Sequence, residues 1–181
     1  MTQATVEQLA DAAERIGRLV AGIKPDQWGD PTPCSEWDVQ SLVAHVINGN
    51  IMFAAAIGGK PPTYRSLRAD FDESAGALLA AFSQPGALDQ VVQVPFGRAS
   101  GVIALHLRLT EFLVHGWDLA RATGQPADFP DDLVEQELAF TANALTAIPP
   151  ERSPFRRPMP VADSAPALHR LVARLGRLAR T

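Results

Sequence analysis

In long segments of this chain the apolar residues recur at the spacing of a helix, and proline and glycine separate these segments. This pattern limits the possible folds more than any other feature. Within each segment hydrophobic residues recur every three or four positions, which is the spacing of an α-helix with a buried face. Breakers such as Pro25, Gly59 and Pro85 end the pattern, because proline and glycine disfavour helix interiors. The predicted helices cover about 4–24, 63–83, 100–123, 131–147 and 164–179, with a second helix that starts between 35 and 38 and ends near 57.

The remaining segments link these helices. Residues 90–96 predict a short extended stretch, and residues 149–163, rich in proline and arginine, predict an extended strap. Ser35, followed three residues later by Asp38, resembles a capping box for the second helix, and Asp38 is the alternative N-cap. We therefore predict an all-α protein. Residues 1–148 would form a four-helix bundle with a fifth helix, and residues 149–181 a C-terminal helical extension packed on it.

Charge and cysteine content narrow the classes of partner. The net charge of −4 gives no basic surface for phosphates, so nucleic acid is not expected as a partner. The late arginines predict a solvated face on the terminal helix. They are Arg152, Arg156, Arg157, Arg170, Arg174, Arg177 and Arg180. With Cys34 as the only cysteine, no signal-peptide pattern and no run of about 18 apolar residues, we expect a cytoplasmic protein without a membrane partner.

An acid and a histidine lie one turn apart on the apolar fourth helix. Glu111 and His115 share a face, and Asp118, seven residues after Glu111, returns to nearly the same direction. A carboxylate in apolar surroundings needs a cation, hydrogen bonds or water. Three explanations follow: a salt bridge with Arg108, a face open to a solvent-filled cleft, or a divalent metal.

His45 on the second helix favours the metal. It lies beside the apolar stripe of that helix, and facing helices of a bundle are where metal sites are built. Two histidines and one glutamate form a known zinc ligand set that leaves one position open. His106 points to the opposite side of the fourth helix and His169 belongs to the terminal helix, so both are predicted at the surface.

Three stretches carry longer motifs. Residues 35–45 read SEWDVQSLVAH, residues 109–124 read LTEFLVHGWDLARATG, and residues 165–177 read APALHRLVARLGR. Together they resemble the mycothiol-dependent maleylpyruvate isomerase N-terminal family, within the DinB-like superfamily, and the third stretch resembles the close of its small stand-alone members. The resemblance implies an up-down four-helix bundle holding one divalent metal through His45, Glu111 and His115. The metal is usually zinc, with nickel or manganese as alternatives.

The resemblance also implies a reaction class. In the isomerase branch the metal activates a low-molecular-weight thiol such as mycothiol, because a metal-bound thiol readily loses its proton. The implied function is a metal-dependent enzyme that uses a small thiol for addition, transfer or isomerisation of a small electrophile. The full isomerase has a further C-terminal domain, for which this chain leaves no room, so maleylpyruvate isomerisation itself is not the expectation.

Two other functions remain open. One is a metal-binding module or dimeric scaffold without catalysis, and a homodimer is compatible with such a bundle. The other is a metal-dependent hydrolase in which water is the nucleophile.

Several further residues have alternative interpretations. Asp118 either orients His115 or contacts substrate, or else pairs with Arg121 at the helix end. Trp37 and Trp117 are predicted to pack in the core, with the wall of a substrate cleft as the alternative. Cys34 is predicted to be a buried structural residue. Arg98, Arg156 and Arg157 are candidates to meet an anionic substrate, although no motif places them at the site.

Overall fold

The computed structural model describes residues 3–58, 67–95, 97–144 and 156–179. Within them the chain forms six α-helices, one 3₁₀ turn and a two-stranded sheet. The helices are α1 (Val6–Ala21), α2 (Val39–Ala56), α3 (Leu67–Phe82), α4 (Gly101–Thr123), α5 (Asp131–Ala144) and α6 (Ala167–Arg174). The 3₁₀ turn is Ala87–Asp89, and the strands are β1 (Val91–Val94) and β2 (Gly97–Ser100). The fold is therefore mostly helical.

Side-chain caps set the starts of three helices. Thr5 and Gln8 form a reciprocal capping box at α1, in which each side chain accepts a hydrogen bond from the other residue's amide. Asp38 caps α2 by accepting a 2.8 Å hydrogen bond from the Ser41 amide, so Asp38 is the N-cap rather than a capping-box partner of Ser35. Ser100 caps α4 through the Ile103 amide.

The first four helices share one apolar core. α1 packs against α3 and α4, and α2 packs against the same two helices. The core is built from large side chains of all four, among them Leu9, Ile16, Leu42, Phe53, Phe71, Leu78, Leu105 and Phe112. α4 is buried on nearly every side, because α5 and α6 also contact it and contact each other. This arrangement explains why the sequence of α4 is apolar around most of its circumference.

The sheet is a difference from the all-α prediction. β1 confirms the extended stretch predicted at 90–96, but β2, which pairs antiparallel with it from Val91↔Ser100 to Val94↔Gly97, was not predicted. The four residues of β2 lie directly before α4 and carry little hydrophobic patterning. A strand that gains its stability from pairing with a neighbour leaves a weak signal in its own sequence.

The last helix is shorter than predicted. α6 ends at Arg174 rather than near residue 179, because Leu175 and Gly176 form a turn in which Gly176 has a φ of +85°. Glycine adopts this left-handed conformation without the steric cost paid by other residues. The residues predicted as a strap are described from 156 onwards, and the Met159 amide attaches them to α6 by a 2.8 Å hydrogen bond to the Ala173 carbonyl. Residues 63–66, 145–147 and 149–155 of the predicted elements lie outside the described residues.

α2 is long and apolar enough to cross a membrane when judged by length and composition, contrary to the expectation that no segment is. Half of this helix is buried inside the fold. It packs between α3 and α4, so the apolar composition is that of a core helix.

Candidate metal centre

A cavity of about 620 Å³ opens beside the middle turns of α2 and α4. Its wall includes His45 from α2 and both Glu111 and His115 from α4. The loop before α2 contributes residues 33–37, and the C-terminal segment contributes Arg156, Gly176 and Arg177. The three residues predicted as metal ligands therefore line one cavity.

The two histidines face each other across this cavity. Their ring centroids are 5.0 Å apart and the rings are nearly perpendicular. The indole of Trp37 covers His45 at a centroid distance of 4.2 Å and lies 5.9 Å from His115. Trp37 therefore lines the cleft and also packs against the edge of the core, so both of its predicted roles are present. Trp117 is buried in the core as predicted, with Arg121 against its ring.

Glu111 is held by a buried arginine. Arg108 is fully buried and its Nη1 donates to Glu111 Oε2. The same guanidinium donates to Asn50 Oδ1 at 2.7 Å and lies over the rings of Phe53 and Phe112. This ion pair is the first of the three explanations for an acid on α4, and it compensates the carboxylate without requiring a metal.

The Arg108 contact belongs to a longer polar network. Asn50 Nδ2 donates to Ser74 Oγ at 3.1 Å, and Ser74 donates to the Phe71 carbonyl at 2.9 Å. Because Asn50 and Ser74 are fully buried, each bond replaces one that water would have made. The network therefore connects Glu111 at the cavity to α3 behind it.

A second carboxylate contacts the Nδ1 side of His115. Asp118 is fully buried, and its Oδ2 lies 3.2 Å from His115 Nδ1. Arg177, not Arg121, is the cation paired with Asp118, at 2.9 Å from Nη2 to Oδ2. Arg177 is only 8% exposed, so its prediction as part of a solvated face is wrong. No pattern within the terminal helix indicates a partner 59 residues earlier.

His106 is also placed differently from its prediction. It is buried rather than at the surface, with Nδ1 2.7 Å from Glu137 Oε1 and its ring stacked on Phe140. Thr110 donates to the other oxygen of Glu137 at 2.9 Å. The side of α4 opposite the cavity is covered by α5, which the surface prediction did not take into account. His169 is partly exposed.

The remaining candidates divide between the cavity and the surface. Cys34 is half-buried and lines the cavity, and burial raises the pKa of its thiol. Arg156 lines the same cavity and donates to Ser35 Oγ. Arg98 and Arg157 are exposed and lie outside the cavity wall.

The environment of His45 keeps its imidazole neutral. Burial, followed by the electrostatic effects of His115, Arg108 and Arg177, lowers the pKa of His45 to about 4, and Glu111 opposes this only in part. A neutral imidazole at pH 7 has a lone pair free for a metal.

The lowered pKa of His45 predicts a pH-dependent stability in the metal-free protein. Between pH 6.5 and 4 the unfolded chain binds a proton at this residue that the folded chain does not, so stability falls as the pH drops through that window. We expect a loss of roughly 1–2 kcal/mol, reduced for partial exposure of the ring. Urea unfolding of chelator-treated protein measures it. His45→Gln should remove this loss and His169→Gln should retain it; an equal loss in His45→Gln would contradict the assignment.

Across the part of the chain that the structure describes, no three His, Cys, Asp or Glu side chains are already gathered in a metal-binding arrangement. His45 and His115 approach each other, whereas Glu111 contacts Arg108. The geometry therefore supplies two facing imidazoles and one carboxylate in a common cavity.

Comparison with known proteins relates this chain to a protein family. The family model for the mycothiol maleylpyruvate isomerase N-terminal domain matches residues 9–120, which include His45, Glu111 and His115. Two curated relatives, the uncharacterized proteins MT0763 and Rv0738 of two Mycobacterium tuberculosis strains, are each 35% identical over 175 residues. The match covers 93% of this chain and 95% of each relative. No solved structure matches the chain.

Proposed function

Because this chain belongs to the mycothiol maleylpyruvate isomerase N-terminal domain family, we propose that it is a metal-dependent enzyme acting with a small thiol. The proposed architecture is the DinB-like up-down four-helix bundle of α1 to α4. The proposed ligands of one divalent metal, most simply zinc, are His45, Glu111 and His115. The described C-terminal residues belong to the same domain in this proposal, and the cytoplasm is the proposed compartment.

The main support for this proposal is the geometry of the two facing imidazoles. With zinc–nitrogen distances of about 2.0–2.1 Å and tetrahedral geometry, the centroids of two ligating imidazoles lie about 5 Å apart. The centroids of His45 and His115 are separated by 5.0 Å. The contact between Asp118 and His115 Nδ1 leaves Nε2 of His115 for a metal, which is the usual arrangement of a ligating histidine and a supporting carboxylate.

Glu111 fits as the third ligand in chemical type. Arg108 binds Oε2, and a carboxylate can accept that hydrogen bond while its other oxygen ligates a metal. Arg108 would then hold the carboxylate in place rather than compete for it. Two imidazoles and one carboxylate leave an open position on a four-coordinate ion.

A bound divalent metal would supply the positive charge that lowers the pKa of a thiol and makes it nucleophilic at neutral pH. Trp37 and Met52 would offer apolar contacts to the rest of a small organic substrate, since both line the cavity. Arg156 offers a cation at the same wall, and the cavity volume suits a small molecule.

Cobalt substitution tests the use of a thiol. Adding N-acetylcysteine to the cobalt-loaded protein should produce an intense sulfur-to-cobalt charge-transfer band in the near ultraviolet, saturating at about one thiol per metal. N-acetylserine, which replaces only the sulfur, is the matched control and should produce no such band. If cobalt binds and the thiol leaves the spectrum unchanged, the thiol function is wrong and a metal-dependent hydrolase or a non-catalytic metal module takes its place.

A further inference from the structure

Asp118 stands behind the proposed metal centre as a fully buried carboxylate. An ionised carboxylate in an apolar interior is unstable unless cations and hydrogen bonds replace its water. Here Oδ2 lies 3.2 Å from His115 Nδ1 and 2.9 Å from Arg177 Nη2, and Arg177 Nε lies 3.4 Å from Oδ1. Arg177 thus contacts both oxygens of the carboxylate that supports His115.

Arg177 is itself fixed in position. Its amide donates to the Val172 carbonyl at 2.9 Å, and its Nη1 donates to the Leu175 carbonyl at the same distance. Gly176, with a φ of +85°, reverses the chain after α6 and directs Arg177 back towards α4. Hydrogen bonds therefore hold both the backbone amide and the guanidinium of Arg177, so this residue can define the orientation of the Asp118 carboxylate.

We infer that Arg177 is a positioning residue for the metal centre, acting through Asp118 on His115. Arg177 fixes the Asp118 carboxylate, the carboxylate accepts a hydrogen bond from Nδ1–H of His115, and that tautomer leaves the lone pair of Nε2 for the metal. This inference rests on the proposed function. It makes a residue of the C-terminal segment part of a site whose ligands all lie in the helical bundle.

The C-terminal segment is joined to the cavity by more than this contact. A Cβ at Gly176 would overlap Cβ of Arg156 and approach its Cα to 3.0 Å, so the turn and the strap touch directly. Both residues line the cavity. The segment that carries Arg177 is therefore part of the wall against which a ligand would bind.

Zinc affinity tests the inference first. Competition with a chromophoric chelator should give zinc binding roughly 10–100-fold weaker for Arg177→Met than for the native chain, because loss of an outer-shell partner typically costs that much. Arg170→Met is the matched control. Arg170 precedes Arg177 by one helix turn and a short loop and pairs with Glu135 away from the cavity, so its loss should leave affinity within about twofold.

The tautomer of His115 in zinc-free protein provides a second measurement. It should not change if Arg177 only stabilises the fold. Long-range ¹H–¹⁵N spectra should place the His115 proton on Nδ1 in the native chain and distribute it between both nitrogens in Arg177→Met. Arg177→Lys keeps the charge but not the two-point contact and should give an intermediate tautomer population. If Arg177→Met does not fold, the tautomer population of Arg177→Lys tests the inference instead.

A double variant separates action through Asp118 from a direct effect. The single variant Asp118→Asn and the double variant that combines Asp118→Asn with Arg177→Met should have zinc affinities within about threefold of each other, because Arg177 acts on His115 through this carboxylate. Native affinity and an unchanged tautomer in folded Arg177→Met or Arg177→Lys would overturn the inference. If the native chain binds no zinc, the proposed function fails, and the tautomer measurement still decides the role of Arg177.

Discussion

His45→Ala is expected to reduce the zinc content of the protein from about one ion per chain to less than about a tenth, the largest effect that a single substitution should have on the site. His45 is one of only two imidazoles at the described cavity wall, and it reaches the site from α2, whereas Glu111 and His115 share α4. Without it, two ligands from one helix turn remain. That set gives too few bonds to retain zinc through gel filtration.

Metal analysis after zinc loading and gel filtration measures the effect of His45→Ala. His169→Ala is the matched control, because it removes an imidazole that is partly exposed and outside the cavity. The control should retain the native zinc content. Native zinc content in a folded His45→Ala variant would mean that the metal lies elsewhere, and the ligand set would have to be reassigned.

Arg108→Met should lower the free energy of unfolding by about 3 kcal/mol, the largest stability effect expected at the site. The substitution keeps an apolar stem of similar length but removes the cation between Glu111 and Asn50. Burial lowers the pKa of Arg108, and the ion pair with Glu111 opposes that shift and keeps the guanidinium charged. The loss would leave Asn50 Oδ1, in a fully buried residue, without its donor.

Urea unfolding compares this variant with Arg121→Met on the same helix. Arg121 is exposed and lies against the Trp117 ring, so its replacement should cost no more than about 0.5 kcal/mol. Equal stability of Arg108→Met and the native chain would show that an apolar side chain replaces the guanidinium fully, which would contradict a structural need for this ion pair.

Gly49→Ala provides an independent check on the position of Arg108, and Gly76→Ala is its control. A Cβ at Gly49 would overlap Nη1 of Arg108 and lie 3.1 Å from its Cζ, so Gly49→Ala should destabilise by about 1–3 kcal/mol. Gly76→Ala is the same substitution at an exposed position in the middle of α3, where a Cβ meets nothing within 4 Å. It should stabilise by roughly 0.5–1 kcal/mol through helix propensity.

The sequence predicts the parts of this fold that depend on local pattern. All six helices follow from apolar spacing and from breakers, although α6 is shorter than predicted, and Asp38 is one of two candidate caps that the sequence offers for α2. His45, Glu111 and His115 line one cavity because helical spacing decides which residues share a face, and α2 packs against α4. These features need only the period of a helix and the adjacency of two helices.

The features that the sequence does not predict depend on long-range contacts. Arg177 is indistinguishable in sequence from the other late arginines, and only the turn at Gly176 places it against Asp118. His106 is predicted at the surface because it points to the side of the helix opposite His115, whereas α5 covers that side and supplies Glu137. Both pairings join segments far apart in sequence, and neither residue type carries a local signal for its partner.

An anomalous difference map from crystals of the zinc-loaded protein, measured on both sides of the zinc absorption edge, tests the proposed ligands His45, Glu111 and His115. We expect one strong peak in the cavity, at about 2.0–2.2 Å from one nitrogen of His45, one nitrogen of His115 and one oxygen of Glu111, with Arg108 still bound to the other oxygen. A cavity without a peak, or a peak whose ligands exclude His45 and His115, would contradict this assignment.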